Sequence, residues 1–186
     1  SGIRQVNIAT HYKPEKIIEH FGDGSNFGVD LNYVSEDEPL GTAGALGLMD
    51  KFSEPVLVMN GDILTGIDFH ALVAYHEANQ ADMTVAVRKY DFQVPYGVVE
   101  CEGSDIRSLS EKPVLNFFVN AGIYLLQPTV SDFIVSGEYL DMNELIEKLI
   151  ADGRKVVSFP IIEYWLDIGQ IDDYERAQKY IEEGKL

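Results

Sequence analysis

Residues 36–62 read EDEPLGTAGALGLMDKFSEPVLVMNGD, and this stretch decides the fold. A polar, glycine-bearing turn opens a helix, and an apolar strand then ends near a carboxylate. Gly41 and Gly44 carry no Cβ, so the backbone there can lie close to a flat or anionic ligand. Ala45, Leu46, Leu48 and Met49 recur at near-helical spacing, which predicts a helix whose first free N–H groups lie on the ligand side. Residues 55–59 form a continuous apolar run suited to a strand buried on both faces. Asp62 follows across Asn60-Gly61, and open α/β sheets bind ligands outside the carboxyl ends of their strands. Asp62 is therefore the first candidate for chemistry.

Upstream, Val6 and Ile8 alternate with Asn7 and Ala9 in a strand, and Pro14 suits the first turn of a helix over 14–21. Ile17, Ile18 and Phe21 form its apolar stripe. Gly22-Asp23-Gly24 ends it, and 28–34 alternates as a second strand, so the start reads βαβ. Downstream, Asp68 caps a helix over 69–79 with Leu72, Val73 and Tyr75 toward the core, and 83–87 is another buried strand. The pattern then changes. Residues 96–100 and 106–113 are short alternating segments expected to pair antiparallel, as a small lid or subdomain. A strand over 117–126, helices over 128–135 and from 142 or 143 to 151, strands over 155–159 and 163–168, and a helix over 171–183 follow. In that last helix Tyr174, Ala177, Gln178 and Ile181 fall at helical steps.

With 186 residues, 46% of them hydrophobic, the chain can bury one substantial core, and one domain over 1–186 is expected. Cys101 is the single cysteine, so no internal disulfide can form and a reducing, cytoplasmic setting is favoured. Neither a signal-type apolar segment nor a bilayer-length run is present, and no membrane partner is expected. Fourteen Lys plus Arg against 31 Asp plus Glu give a net charge of -17, which repels a nucleic-acid backbone. Phosphorylated small molecules meet the same field unless a divalent cation or local lysine reverses it.

Asp62 and Asp167 each lie at an apolar strand-like run and could supply the carboxylate oxygens that magnesium takes. Equally, one could cap a turn and the other make a structural hydrogen bond. Residues 41–45 match neither GxGxxG nor a Walker A loop; Gly41 and Gly44 could be a tight turn and a close packing contact, and Thr42 a helix cap. Lys112, between Glu111 and Pro113, is a compact charge for a phosphate or an ordinary solvated lysine. Asn120, inside VNAGIYLL, needs amide partners if buried, either a sugar hydroxyl or a backbone carbonyl. His11, beside Tyr12 after the first strand, stands at a ligand edge, whereas His70 and His76 are expected on helical surfaces. No HExxH, CxxC or GxSxG occurs, and Trp165 is read as a packing residue.

Six blocks in order, PLGTAGAL at 39–46, NGD at 60–62, YGVVE at 96–100, EKP at 111–113, VNAGIY at 119–124 and YWLDIGQIDDYERA at 164–177, resemble the sugar-1-phosphate nucleotidylyltransferases. The EYWLDIG ending is closer to mannose-1-phosphate guanylyltransferase-like members than to glucose-1-phosphate thymidylyltransferase-like ones. The resemblance implies an α/β fold with a Rossmann-like mixed sheet and a small antiparallel lid. It implies transfer of a nucleoside monophosphate from a nucleoside triphosphate to a sugar 1-phosphate, giving a nucleotide sugar and pyrophosphate. In that pattern Asp62 and Asp167 hold Mg²⁺, and Gly41, Thr42 and Gly44 lie at the nucleotide edge. Lys112 holds the sugar phosphate, Gly97 and Asn120 line the sugar site, and Glu111 meets sugar hydroxyls.

The chain departs from the pattern at its start, where the family's first strand, its GxGxRL loop and a PKP segment do not occur. Since that strand is central, the expectation is an incomplete sheet with open pairing edges, completed by an upstream segment or by a second copy. Little or no transferase activity is expected of residues 1–186 alone. A non-catalytic sugar-phosphate or nucleotide-binding module of the same fold is the competing reading. A metal-dependent glycosyltransferase ranks last, since NGD supplies one carboxylate where DxD would supply two.

Overall fold

The computed structural model describes residues 2–185. Strand β1 (Gln5–Thr10) leads through α1 (Pro14–Phe21) to β2 (Asp30–Ser35), and the two strands pair in parallel with Gln5 opposite Asp30 and Thr10 opposite Ser35. This is the βαβ unit expected from Pro14 and the glycines that follow. No residue of α1 is buried; Phe21 and Phe27 pack ring to ring at 5.3 Å while both stay exposed.

The chain then makes a single helical turn, α2 (Gly41–Gly44), and a 3₁₀ segment over Ala45–Leu48. The longer helix expected here does not form: Met49 already has extended backbone, and the turn before it is held from outside by the Leu140 carbonyl. Next come β3 (Val56–Met59), β4 (Ile63–Thr65), α3 (Phe69–Asn79), β5 (Met83–Gln93), and a hairpin of β6 (Gly97–Glu102) and β7 (Asp105–Glu111). Strand β8 (Val114–Leu126), a 3₁₀ segment over Pro128–Phe133 in place of the expected helix, α4 (Met142–Ala151), β9 (Val156–Ile161), β10 (Trp165–Asp167) and α5 (Ile171–Glu182) complete the order.

The sheet is mixed and falls into pieces: β1-β2, β10-β4, β6-β7, and a four-stranded sheet in the order β3-β8-β5-β9. Strand β3 therefore lies at an edge. It pairs antiparallel with β8, Val56 opposite Leu126 and Met59 opposite Ile123. The expectation that it is buried on both faces fails: Val56, Leu57 and Val58 are half-buried and Met59 is exposed.

Two compact units divide the chain. The first holds the residues up to Asn60, Asp68–Thr84 and Ile123–Val157; the second holds Gly61–Ile67, Val85–Gly122 and the residues from Ser158 on. The core of the first is built from Leu72, Met83, Ile123, Leu126, Val130, Leu145 and Leu149, all fully buried. Each such side chain contributes roughly 1.5–3 kcal/mol by leaving water.

Helix α3 begins where its sequence says it should. The Asp68 carboxylate accepts the amide N–H groups of His70 at 2.9 Å and Ala71 at 3.1 Å, satisfying two donors that have no partner within the helix. We expect Asp68→Ala to cost about 1 kcal/mol in a denaturant titration. The core face of α3 is another matter. Leu72 is buried, but Val73 and Tyr75 are exposed and His76 is buried in their stead, which corrects the surface placement expected for that histidine. Leu72 and His76 are four apart and share the face that is buried.

In the second unit β6 and β7 form the expected antiparallel hairpin, closed by Gly103-Ser104 with Gly103 at φ +62. Its residues are exposed throughout. Arg88 donates from Nη1 to the carbonyls of Ile161 at 3.0 Å and Glu163 at 2.9 Å, fixing the approach to β10. The Trp165 indole N–H donates to the Ala121 carbonyl at 2.8 Å, and the side chain is half-buried.

Candidate active site

Asp62 and Asp167 are brought together by a ladder of three residue pairs. Strands β4 and β10 run antiparallel with Ile63 opposite Asp167, so Asp62, directly before Ile63, stands at the same end as Asp167. The Ile168 amide donates to the Asp62 carbonyl at 2.8 Å and closes that end. Burial, then the Asp62 charge, then the Asp173 charge hold the Asp167 carboxyl above the usual carboxylate range. Asp173 lies in the first turn of α5 and pairs with Arg176 at 3.2 Å. Nothing in the sequence separated it from the acids that commonly open helices.

This donor chemistry fits a hard divalent cation, since repulsion between neighbouring carboxylates is relieved by positive charge. Among the described residues no group of three or more His, Cys, Asp or Glu is arranged as a metal cage. Magnesium commonly takes one or two carboxylates and completes its octahedron with water and phosphate oxygens.

Gly97, Glu111 and Lys112 meet at the base of the hairpin. Gly97 is paired with Glu111, and a Cβ on Gly97 would stand 3.1 Å from the Glu111 Oε2 atom. Lys112 is exposed, at φ +46, and its amide donates to the Tyr96 carbonyl at 3.2 Å. A non-glycine residue in the left-handed region is uncommon and is held by its surroundings; here the turn is braced by Val94 N–H to Pro113 O at 3.0 Å. Asn120, on β8, is exposed rather than buried, and its Oδ1 accepts the Gly122 amide at 3.0 Å, where the strand bends through φ +71. The bond differs from the backbone-carbonyl partner considered for a buried amide: the side-chain oxygen takes a backbone N–H at an exposed position.

Gly41, Thr42 and Gly44 belong to the first unit and are docked on residues 138–142. The Thr42 amide donates to the Asp141 Oδ1 atom at 3.2 Å, and the amides of Ala43 and Gly44 donate to the Leu140 carbonyl at 2.9 and 3.0 Å. The expectation of free N–H groups at this turn is corrected accordingly, for the donors an anion would need are occupied. Gly41 sits at φ +78, and a Cβ there would lie 2.7 Å from the Leu140 carbonyl oxygen; one on Gly44 would lie 2.7 Å from that of Glu138. Both glycines are required by close packing, whatever else they contact. His11 bonds the Glu36 carbonyl through Nδ1 at 2.9 Å, and Cys101 is exposed and free.

A family model described as nucleotidyl transferase matches residues 1–184. The chain belongs to that family. It is 32% identical over 185 residues to a mannose-1-phosphate guanylyltransferase of Mycobacterium tuberculosis, covering 95% of this chain and 51% of the relative. It is 34% identical over 183 residues to a mannose-1-phosphate guanyltransferase of Yarrowia lipolytica, covering 94% and 50%. The chain thus spans about half the length of these relatives. The fold matches the crystal structure of HddC from Yersinia pseudotuberculosis with a TM-score of 0.73 at 22% identity, over 97% of this chain and 80% of that one. It matches HddC complexed with GMP-PN at a TM-score of 0.71 and 19% identity, with the same coverage. The α/β, Rossmann-like mixed sheet of nucleotide-sugar transferases is the fold of this chain. Among the described residues no helix is long and apolar enough to cross a membrane.

Proposed function

We propose that this chain is the nucleotide- and sugar-phosphate-binding part of an enzyme that transfers a nucleoside monophosphate from a nucleoside triphosphate to a sugar 1-phosphate. The observation that carries the reading is the pairing of Asp62 with Asp167 at one end of the β4–β10 ladder. A carboxylate whose ionisation is opposed by burial and a neighbouring carboxylate charge is suited to a dication between protein and phosphate. Asp62 and Asp167 would hold Mg²⁺, which when bound supplies positive charge against the phosphoryl oxygens. Lys112 meets the sugar phosphate, Gly97, Glu111 and Asn120 face the sugar, and the turn bearing Gly41, Thr42 and Gly44 forms the nucleotide edge.

In the reaction a sugar-phosphate oxygen forms a bond to the α-phosphorus, the bond from that phosphorus to the bridging oxygen breaks, and pyrophosphate leaves. The nucleophile is already ionised near neutrality, so no side-chain base is needed. The protein's part is to align the two phosphates and neutralise their charge, which the chain's net charge of -17 otherwise opposes.

The reading includes an upstream strand and glycine-rich loop. It is supported by the pairing pattern: among the described residues β1 pairs with β2 alone and β3 with β8 alone, leaving a strand side open on each. Residues 1–186 by themselves are then expected to release little or no pyrophosphate. Calorimetric titration with GTP, mannose 1-phosphate and Mg²⁺, the pair suggested by the relatives' names, tests the binding. Pyrophosphate release on adding the upstream segment tests the chemistry. Binding that never leads to release, even in the extended protein, favours the second reading, a non-catalytic binding module; the occupied N–H groups of the 41–44 turn are what speak for it.

A further inference from the structure

We propose that Asp141 is a positioning residue, holding the Gly41–Gly44 turn in place across the fold. The placement of that turn at the nucleotide edge rests on the function proposed above. The hold itself rests on geometry. Asp141 lies 99 residues from Thr42 in sequence, and its Oδ1 atom accepts from the Thr42 amide at 3.2 Å and faces the Thr42 hydroxyl at 3.5 Å. That hydroxyl accepts the Met142 amide at 2.8 Å, and the Tyr139 hydroxyl donates to the Asp141 Oδ2 atom at 2.7 Å. One carboxylate therefore ties the turn, the start of α4 and Tyr139 together. Either side of it, the Leu140 amide donates to the Leu40 carbonyl at 2.8 Å while the Leu140 carbonyl takes two amides of the turn.

Asp141 also caps α4, in a reciprocal arrangement where Glu144 accepts the Asp141 amide at 3.3 Å. That second role supplies the control. Glu144→Ala removes half of the capping box without touching Thr42, so it weakens α4 and spares the turn. Asp141→Ala weakens both.

The test uses residues 1–186 and two measurements, amide hydrogen exchange and calorimetric titration with GTP and Mg²⁺. Asp141→Ala is expected to speed exchange at Thr42, Ala43 and Gly44 about tenfold and to weaken GTP about tenfold, the size of one charge-assisted hydrogen bond. Glu144→Ala is expected to change neither, although it lowers the melting temperature. Unchanged exchange at 42–44 in Asp141→Ala, or an equal affinity loss in Glu144→Ala, overturns the positioning role. Faster exchange in Asp141→Ala with no GTP binding by the unaltered chain leaves the hold standing and overturns the nucleotide-edge reading instead.

Discussion

Asp62→Asn or Asp167→Asn is expected to lower turnover by about 100- to 1,000-fold in the upstream-extended protein that the proposed function calls for, measured as pyrophosphate release. On residues 1–186 the same variants abolish the Mg²⁺-dependent part of nucleotide binding. Folding responds in the opposite sense. Because burial and the Asp62 and Asp173 charges raise the Asp167 pKa, the folded chain keeps that proton to a higher pH than the unfolded chain does. Between the ordinary carboxylate pKa and the raised one, the folded state binds more protons, so stability falls as pH rises through that window. Asparagine cannot ionise and escapes the loss. Asp167→Asn should therefore melt no lower than the parent at pH 7, with any advantage disappearing in acid, where both forms are neutral. A variant that loses activity together with several degrees of melting temperature at neutral pH would mark Asp167 as a structural residue and remove the pair from the mechanism.

The sequence spoke clearly where the signal was local. Pro14 in a first turn, Asp68 before an apolar helix and the glycine-closed β6–β7 hairpin all form as read, since each depends on a few neighbouring residues. Asp62 and Asp167 could be marked singly as acids at strand ends, but their meeting depends on a three-pair ladder between segments about a hundred residues apart. No periodicity encodes that. The turn at 41–44 shows the same limit from the other side. Its glycines suggested room for a ligand, while the space a Cβ would take is filled by the carbonyls of Glu138 and Leu140. The start of α4 was legible only as Met142 or Asn143; that Asp141 before it closes a capping box with Glu144 and reaches Thr42 was not. Strand β3 misled for a related reason: an apolar run tells which residues prefer burial, and only the neighbouring strands decide whether both faces receive it.

His76→Ala should be among the most destabilising single changes in the first unit, at about 3 kcal/mol in a denaturant titration. The imidazole is 1% exposed and bridges two elements: Nδ1 lies 2.8 Å from the Thr84 hydroxyl and Nε2 lies 2.9 Å from the Gln127 side-chain nitrogen. With Gln127 donating to Nε2, the ring is neutral and its Nδ1–H donates to Thr84. Truncation leaves a cavity beside α3 and removes a partner from each of two polar groups, one of them, Thr84, fully buried. Burial lowers the His76 pKa more than the nearby Glu77 and Asp82 charges raise it. A histidine that stays neutral when folded takes up its proton more readily when unfolded. Its stabilising share is complete above the unfolded value of about 6.5 and is lost as pH falls from there toward the folded one. Denaturation midpoints at pH 7.5 and 5.5 should therefore differ more in the parent than in His76→Ala. Equal differences would mean that acid sensitivity lies elsewhere and that the ring can be charged in place, which the Gln127 donor argues against. The residue read from sequence as a surface histidine is then the pin between α3, β5 and the residue that follows β8, and its loss should be felt as unfolding rather than as altered chemistry.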